Sequence, residues 1–283
     1  MKTNSLVEWN EDSRKKLKEK QIEMLLFLIN ICEKYGLTYF AVGGTALGAV
    51  RHAGYIPWDD DIDIALPRRD YMAFLEVAQI ELPKGFFLQN HITDPDYRND
   101  FSKIRNSNTI FLESSASQLK INHGIYIDVF PIDGYPKHTI SAQIMEVKKI
   151  LSKIYLGKDY MQKNTSKRHK IALFIAKMLY GRKTTTNIID NLEHLYMKYP
   201  YEKMDIVVCH GGAWGKKERL PRDYYGQGVK GAFEGISVCL PEKTHEYLMH
   251  KYGDYMQLPP IEKRIAHHYC EKIEFECTKE VKI

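Results

Sequence analysis

Residues Leu37–Leu66 read LTYFAVGGTALGAVRHAGYIPWDDDIDIAL, and this stretch decides the fold. Leu37 to Val42 is a short β-branched and aromatic run that stops at Gly43-Gly44, and Thr45 to Val50 continues with helical character. The local pattern is strand, tight turn, helix start. After a polar turn at His52-Ala53-Gly54 and Pro57-Trp58, Asp61-Ile62-Asp63-Ile64-Ala65-Leu66 alternates strictly, as a half-buried strand does. Residues two apart on a strand share a face, with about 6.5–7 Å between their Cα atoms, so Asp61 and Asp63 point the same way. Ile62 and Ile64 then face the core. Like charges held that close repel, and a divalent cation bridging them relieves the repulsion. Magnesium suits the pair because it takes few carboxylates and leaves coordination sites for phosphate oxygens. Two blander readings compete. An acidic surface turn is the usual fate of a charge run, but alternating isoleucines pin these carboxylates to one face. A calcium loop fails at Ile64 and Asp70, where it needs glycine and glutamate.

Outward from this stretch the chain reads as mixed α/β. Ser13 to Tyr35 carries Leu17, Met24, Leu25, Leu28 and Cys32 at helical steps, with Gly36 as a stop, and Arg68 to Leu82 is a further helix. Strands are predicted over 86–89, 102–105, 109–112 and 125–130. From about Thr139 to Tyr199 the pattern is helical; weaker strands return at 206–209 and 236–240, with helix over 242–251. The expected fold class is α/β (α+β), a mixed sheet flanked by helices. Residues 1–135 form the catalytic core, and a largely helical second half, 136–283, completes the same compact unit as a substrate or acceptor region.

The chain has 283 residues, 44% of them hydrophobic, enough to bury a sizeable core. A run of ~18 uncharged apolar residues, the mark of a spanning helix, is missing. The amino terminus lacks the apolar core of a secretory signal, so a cytoplasmic location is expected. Five scattered cysteines without a C-x-x-C pair read as reduced thiols. The net charge of +5 comes from 41 basic and 36 acidic residues, too balanced for a nucleic-acid coat but compatible with anionic substrates or a membrane surface. One segment sharpens the membrane option: Ile171 to Tyr180 is apolar except for Lys177, with Lys167, Arg168, Lys170 before it and Arg182, Lys183 after it. It is too short to span and could lie peripherally on an anionic bilayer such as the inner face of the plasma membrane, but a bundle helix of the second half is the preferred reading.

Several other residues carry candidate chemistry. Gly43, Gly44 and Thr45 place backbone N–H groups and a hydroxyl at a helix start, a phosphate-binding geometry. Asp128 sits among Ile127, Val129 and Phe130, where a buried carboxylate is costly without a partner. Arg51, His52, Lys103 and Arg105 are candidate pyrophosphate ligands, and His123 a weaker substrate candidate, with surface or structural roles as the alternatives. Trp58, Tyr55 and Phe233 offer faces for a base or a quaternary ammonium, against core packing.

Strand, Gly-Gly, short helix and Asp-x-Asp on the next strand together resemble the nucleotidyltransferase superfamily. The whole stretch Val42–Ile64 goes further and resembles the LicD family, with echoes at Gly124–Pro131, at Tyr252-Gly253-Asp254-Tyr255 and at Pro259-Pro260. Fukutin-related proteins, which transfer ribitol phosphate, share the motif. The resemblance implies a metal pair at Asp61 and Asp63, a third carboxylate at Asp128, and Mg2+ (or Mn2+) as cofactor. It further implies a CDP-alcohol donor such as CDP-choline, from which phosphocholine or a related phospho-alcohol passes to a sugar hydroxyl of a cell-surface glycan or its lipid-linked precursor. Family members tend to keep a histidine near His267 and His268. Competing readings are a nucleotidyltransferase that releases pyrophosphate from an NTP, a glycosyltransferase using Asp-x-Asp to hold a UDP-sugar, and an inactive glycan- or choline-binding module.

Overall fold

Asn10 accepts a hydrogen bond from the Ser13 amide and so starts the first helix, α1 (Glu11–Tyr35), which ends at Gly36 in the left-handed region (φ 63°). These features come from a computed structural model that describes residues 7, 9–158, 166–266 and 268–277. The apolar stripe read from the sequence is the buried one: Leu17, Met24, Leu25, Leu28 and Cys32 all face inward. In order there follow β1 (Phe40–Ala41), α2 (Gly43–His52), β2 (Asp63–Pro67), α3 (Arg68–Glu81), β3 (Phe86–Gln89), β4 (Ser102–Asn106), β5 (Ile110–Glu113) and β6 (Ile125–Gly134). The mixed α/β class expected from the sequence is the class observed.

Strand β6 organises the sheet, and every one of its ten residues is buried. It runs parallel to β2 and antiparallel to β4, and beyond β4 it pairs with β7 (Ile206–Cys209). The strand order is β1-β2-β6-β4-β3, with β8 (Arg219–Pro221) joined to β7. Pro131 inside this central strand has a simple explanation. The Asp128 amide donates to Ile62 O, so by alternation residue 131 faces the opposite edge, where β4 pairing has ended at Val129 and β7 pairing starts at Ile132. The missing N–H falls in that gap.

Helices α4 (Thr139–Leu156), α5 (Lys167–Tyr180) and α6 (Thr185–Tyr196) form the expected helical layer and share a small core of Leu156, Ala176, Tyr180, Ile188 and Ile189. The second half is less helical than its sequence suggests. After Tyr196 come β7, β8, the hairpin β9 (Val229–Phe233) and β10 (Ile236–Leu240), the helix α7 (Thr244–Tyr252), and β11 (Cys270–Glu274), which pairs with β5. The strands absent from the sequence reading, Arg-Leu-Pro at β8, Val-Lys-Gly-Ala-Phe at β9 and Cys-Glu-Lys-Ile-Glu at β11, carry Pro, Gly or charge in place of clear apolar alternation. Because β7 and β8 extend the sheet built by β1, β2, β3, β4 and β6, the two halves share one sheet. All five cysteines are free thiols. Among the described residues no helix is long and apolar enough to cross a membrane.

A buried ion pair fastens the helical layer to the sheet. Arg68, at the start of α3, donates to both carboxylate oxygens of Asp133 on β6 at 2.8 and 2.7 Å, and Glu193 of α6 lies 3.5 Å from the same guanidinium. Removing one partner strands the other charge in the core. Urea unfolding of Asp133→Ala is expected to lose about 3–5 kcal/mol, with much of the loss recovered in the Arg68→Met/Asp133→Leu double variant.

Candidate active site

β2 begins at Asp63, and its in-register neighbour on the parallel strand β6 is Asp128. Asp61 stands just before β2, and oxygens of Asp61, Asp63 and Asp128 all lie within 4.8 Å of one another. The intervening Ile62 and Ile64 are fully buried, as the alternation requires. Backbone geometry is fixed by the Asp63 amide donating to Thr45 Oγ1 at 2.8 Å and the Val42 amide donating to Asp63 O at 3.0 Å. From α1, Gln21 donates to Asp60 O (2.8 Å) and Tyr126 O (3.2 Å) and accepts from Tyr55 Oη (3.0 Å), tying the acidic loop to β6.

The paired glycines make room for the carboxylates. A Cβ on Gly43 would stand 2.6 Å from Asp63 Oδ2, and one on Gly44 would collide with Asp59 Oδ2. Gly43 also has φ 54°. Its amide donates to Tyr247 Oη of α7 at 3.0 Å, and the Thr45 hydroxyl accepts from Asp63, so both groups are engaged inside the protein.

Burial and mutual repulsion make this cluster costly without a counter-ion. Burial, then the charges of Asp61 and Asp60, push Asp59 up to about 8. Burial lifts Asp61 to about 6 against the pull of His268, and burial with the neighbouring carboxylates holds Asp63 well above the usual carboxylate range. His268 is placed beside them: its Nδ1 is 3.0 Å from Asp60 Oδ1 and 3.9 Å from Asp61 Oδ2. Burial alone would lower its pKa, but the Asp60 hydrogen bond and the acidic charges carry it up to about 10. His267 lies outside the described residues. Lys103, opposite Asp128 in the β4–β6 register, brings Nζ to 2.7 Å from Asp128 Oδ1. That oxygen is buried and has no hydrogen bond, only this ion pair. Three hard oxygen donors from two strands and one preceding loop, one of them lacking a hydrogen bond, fit a divalent cation.

The cluster opens into a cleft of about 220 Å³ whose walls include Asp61, Asp63, Asp128, Trp214, Lys251 and His268. Lys103 and Arg105 line a second cavity of about 310 Å³ under the helical layer. Arg105 is engaged there, donating to Gln89 Oε1 and Gly124 O. Arg51, His52 and Trp58 gather elsewhere, at the end of α2. Arg51 donates to Tyr255 O and to His52 Nε2, and His52 meets Trp58 edge to face. Tyr55 and Phe233 pack in the core with tilted rings, centroids 4.8 Å apart, and His123 bonds Leu119 O within its own turn. The sequence reading missed Lys251, which pairs with Glu218 at 2.7 Å while both are buried, and Gln21. Lys251 immediately precedes the Tyr252–Tyr255 segment, which is the one signal that pointed toward it.

In EDTA, Asp63→Asn is expected to melt about 2–4 °C above the parent because it removes a carboxyl whose ionisation burial and its acidic neighbours oppose, and Gly44→Ala below it. Protons bind Asp59 and Asp61 more tightly in the folded than in the unfolded chain. The parent in EDTA is therefore expected to lose stability as pH rises from about 4 to about 8.

The chain is similar to several known proteins. Residues 36–153 match the family model described as LicD/FKTN/FKRP, nucleotidyltransferase domain. The chain is 28% identical over 265 residues to the lipopolysaccharide cholinephosphotransferase LicD of Haemophilus influenzae, covering 90% of this chain and 97% of that protein. It is 24% identical over 126 residues to the ribitol 5-phosphate transferase FKRP of mouse, covering 43% of this chain and 22% of the relative, and the human protein matches to the same extent with 21% of its length covered. The acidic strand pair and the glycine turn that frames it lie inside the matched region, so this part of the chain is similar to the LicD/FKTN/FKRP nucleotidyltransferase domain.

Proposed function

We propose that the protein transfers phosphocholine, or a related phospho-alcohol, from a CDP-activated donor to a sugar hydroxyl of a cell-surface glycan or its lipid-linked precursor. The observation that carries this reading is the convergence of Asp61, Asp63 and Asp128 on one cleft beside the amino end of α2, within a chain similar along nearly its whole length to a cholinephosphotransferase. Asp61, Asp63 and Asp128 would hold Mg2+ or Mn2+, which when bound neutralises the diphosphate of the donor.

The chain's own residues supply the rest. Carboxylates alone would repel a diphosphate, so the positive groups of the cleft matter: Glu218 keeps the buried Lys251 protonated, and Lys251 lines the same wall system as Asp63. Gly43, which lines the cleft, brings the first turn of α2 to its wall. Trp214, 45% exposed at the rim, offers an aromatic face to a base or sugar. Asp128 receives the proton of the attacking sugar hydroxyl as its oxygen bonds the distal phosphorus and the bond to CMP breaks. Lys103 keeps that carboxylate aimed at the cleft. Alignment and charge neutralisation account for most of the rate in such displacements.

Incubation with CDP-choline, magnesium and oligosaccharide acceptors is expected to release CMP in proportion to modified glycan, and Asp61→Asn or Asp63→Asn to cut turnover roughly 10²–10³-fold. Release of pyrophosphate from an NTP in place of CMP would assign the site to nucleotidyl transfer, and near-parent turnover in either variant would remove the carboxylates from the mechanism.

A further inference from the structure

Helix α5 has two apolar faces, and the fold uses one. Its inner side packs through Ala176 and Tyr180 into the small core of the helical layer. On its outer side, Ile171, Phe174, Ile175, Met178 and Leu179 recur at three- and four-residue steps, and all are exposed, Phe174 at 65% and Met178 at 75%. Solvent-facing helix residues are ordinarily polar, so a five-residue apolar stripe is a surface awaiting a partner. The neighbouring helix α4 adds exposed Ile140, Ile144 and Val147.

The charges around the stripe identify that partner. Lys170 and Lys177, seven residues apart, run along one flank; Lys167 and Arg168 precede the stripe, and Arg182 and Lys183 follow it. From Lys167 through Lys183 there is not one acidic residue. A protein partner would need an apolar groove rimmed by acids. A bilayer with anionic lipids presents that combination everywhere, an apolar interior under a negative surface. At 14 residues the helix cannot span, so it lies in the interface plane with Phe174 and Met178 inserted and the lysines at the headgroups. We infer that the outer face of α5 is a peripheral docking surface for an anionic lipid bilayer. This inference rests on a different part of the molecule from the acidic cleft and stands or falls apart from it.

Sedimentation of the full-length protein with vesicles tests it. Binding to phosphatidylglycerol–phosphatidylcholine vesicles is expected to exceed binding to pure phosphatidylcholine by about tenfold and to weaken in 0.5 M NaCl. Phe174→Glu/Met178→Glu should lose the binding about tenfold with its melting temperature unchanged, since both side chains are already exposed; Lys170→Gln/Lys177→Gln should lose the preference for anionic lipid. Lack of sedimentation with anionic vesicles, equal binding of the Glu variant, or indifference to lipid charge would overturn the inference. So would light scattering that finds a dimer of the parent and a monomer of the Glu variant, which would make the stripe a contact between copies.

Discussion

The structure depends on holding carboxylates closer together than they would settle in water. Parallel pairing of β2 with β6 places Asp63 and Asp128 side by side, and the loop entering β2 adds Asp61, Asp60 and Asp59 within the same small volume. Self-repulsion and desolvation both oppose the arrangement. What resists them is rigid backbone: Ile62 and Ile64 anchor the strand from its other face, Thr45 and Val42 lock its start, and Gln21 ties the loop to β6. The two glycines act by absence, since side chains there would occupy the space of Asp63 and Asp59. A cluster this costly is the feature on which the proposed transfer depends, since a bound cation would relieve its repulsion.

Positive groups are distributed around the acids with comparable care. His268 faces Asp60, Lys103 faces Asp128, and Lys251 enters the same cleft with Glu218 as its partner. Lys103 and Arg105 look equivalent in the sequence, two residues apart on one strand and both over the Tyr126 ring. Their surroundings separate them. Arg105 is spent on Gln89 and Gly124, whereas Lys103 reaches the carboxylate on the adjacent strand.

Much of this was legible in the sequence because it is local. Alternation at Asp61–Leu66, the Gly-Gly break and the apolar run around Asp128 each specify a strand or turn within a few residues, and the strands they specify meet in one sheet. Contacts between distant segments left no comparable trace. Gln21 is one polar residue on an amphipathic helix, Glu218 lies in a short turn, and His268 meets Asp60 across more than two hundred residues of chain. The edge strands β8 and β9 were illegible for a different reason: short, partly exposed strands gain little from apolar alternation, so their sequences do not display it.

The outer stripe of α5 can be weighed by asking what the fold would lose without it. The helical layer has its own small cores, built from the inner residues of α4, α5 and α6, and is fastened to the sheet by Arg68 with Asp133 and Glu193 and by His91 with Asp190. None of these contacts involves Ile171, Phe174, Ile175, Met178 or Leu179. Exposed apolar residues that contribute nothing to packing lower solubility and promote association, so their cost is offset only where the surface meets something apolar. Through Glu193, Arg68 and Asp133 the layer carrying the stripe is joined to β6, the strand that presents Asp128. A surface held by α5 is thereby held in a fixed relation to the acidic cleft, and an acceptor attached to that surface would be presented to the cleft from one side.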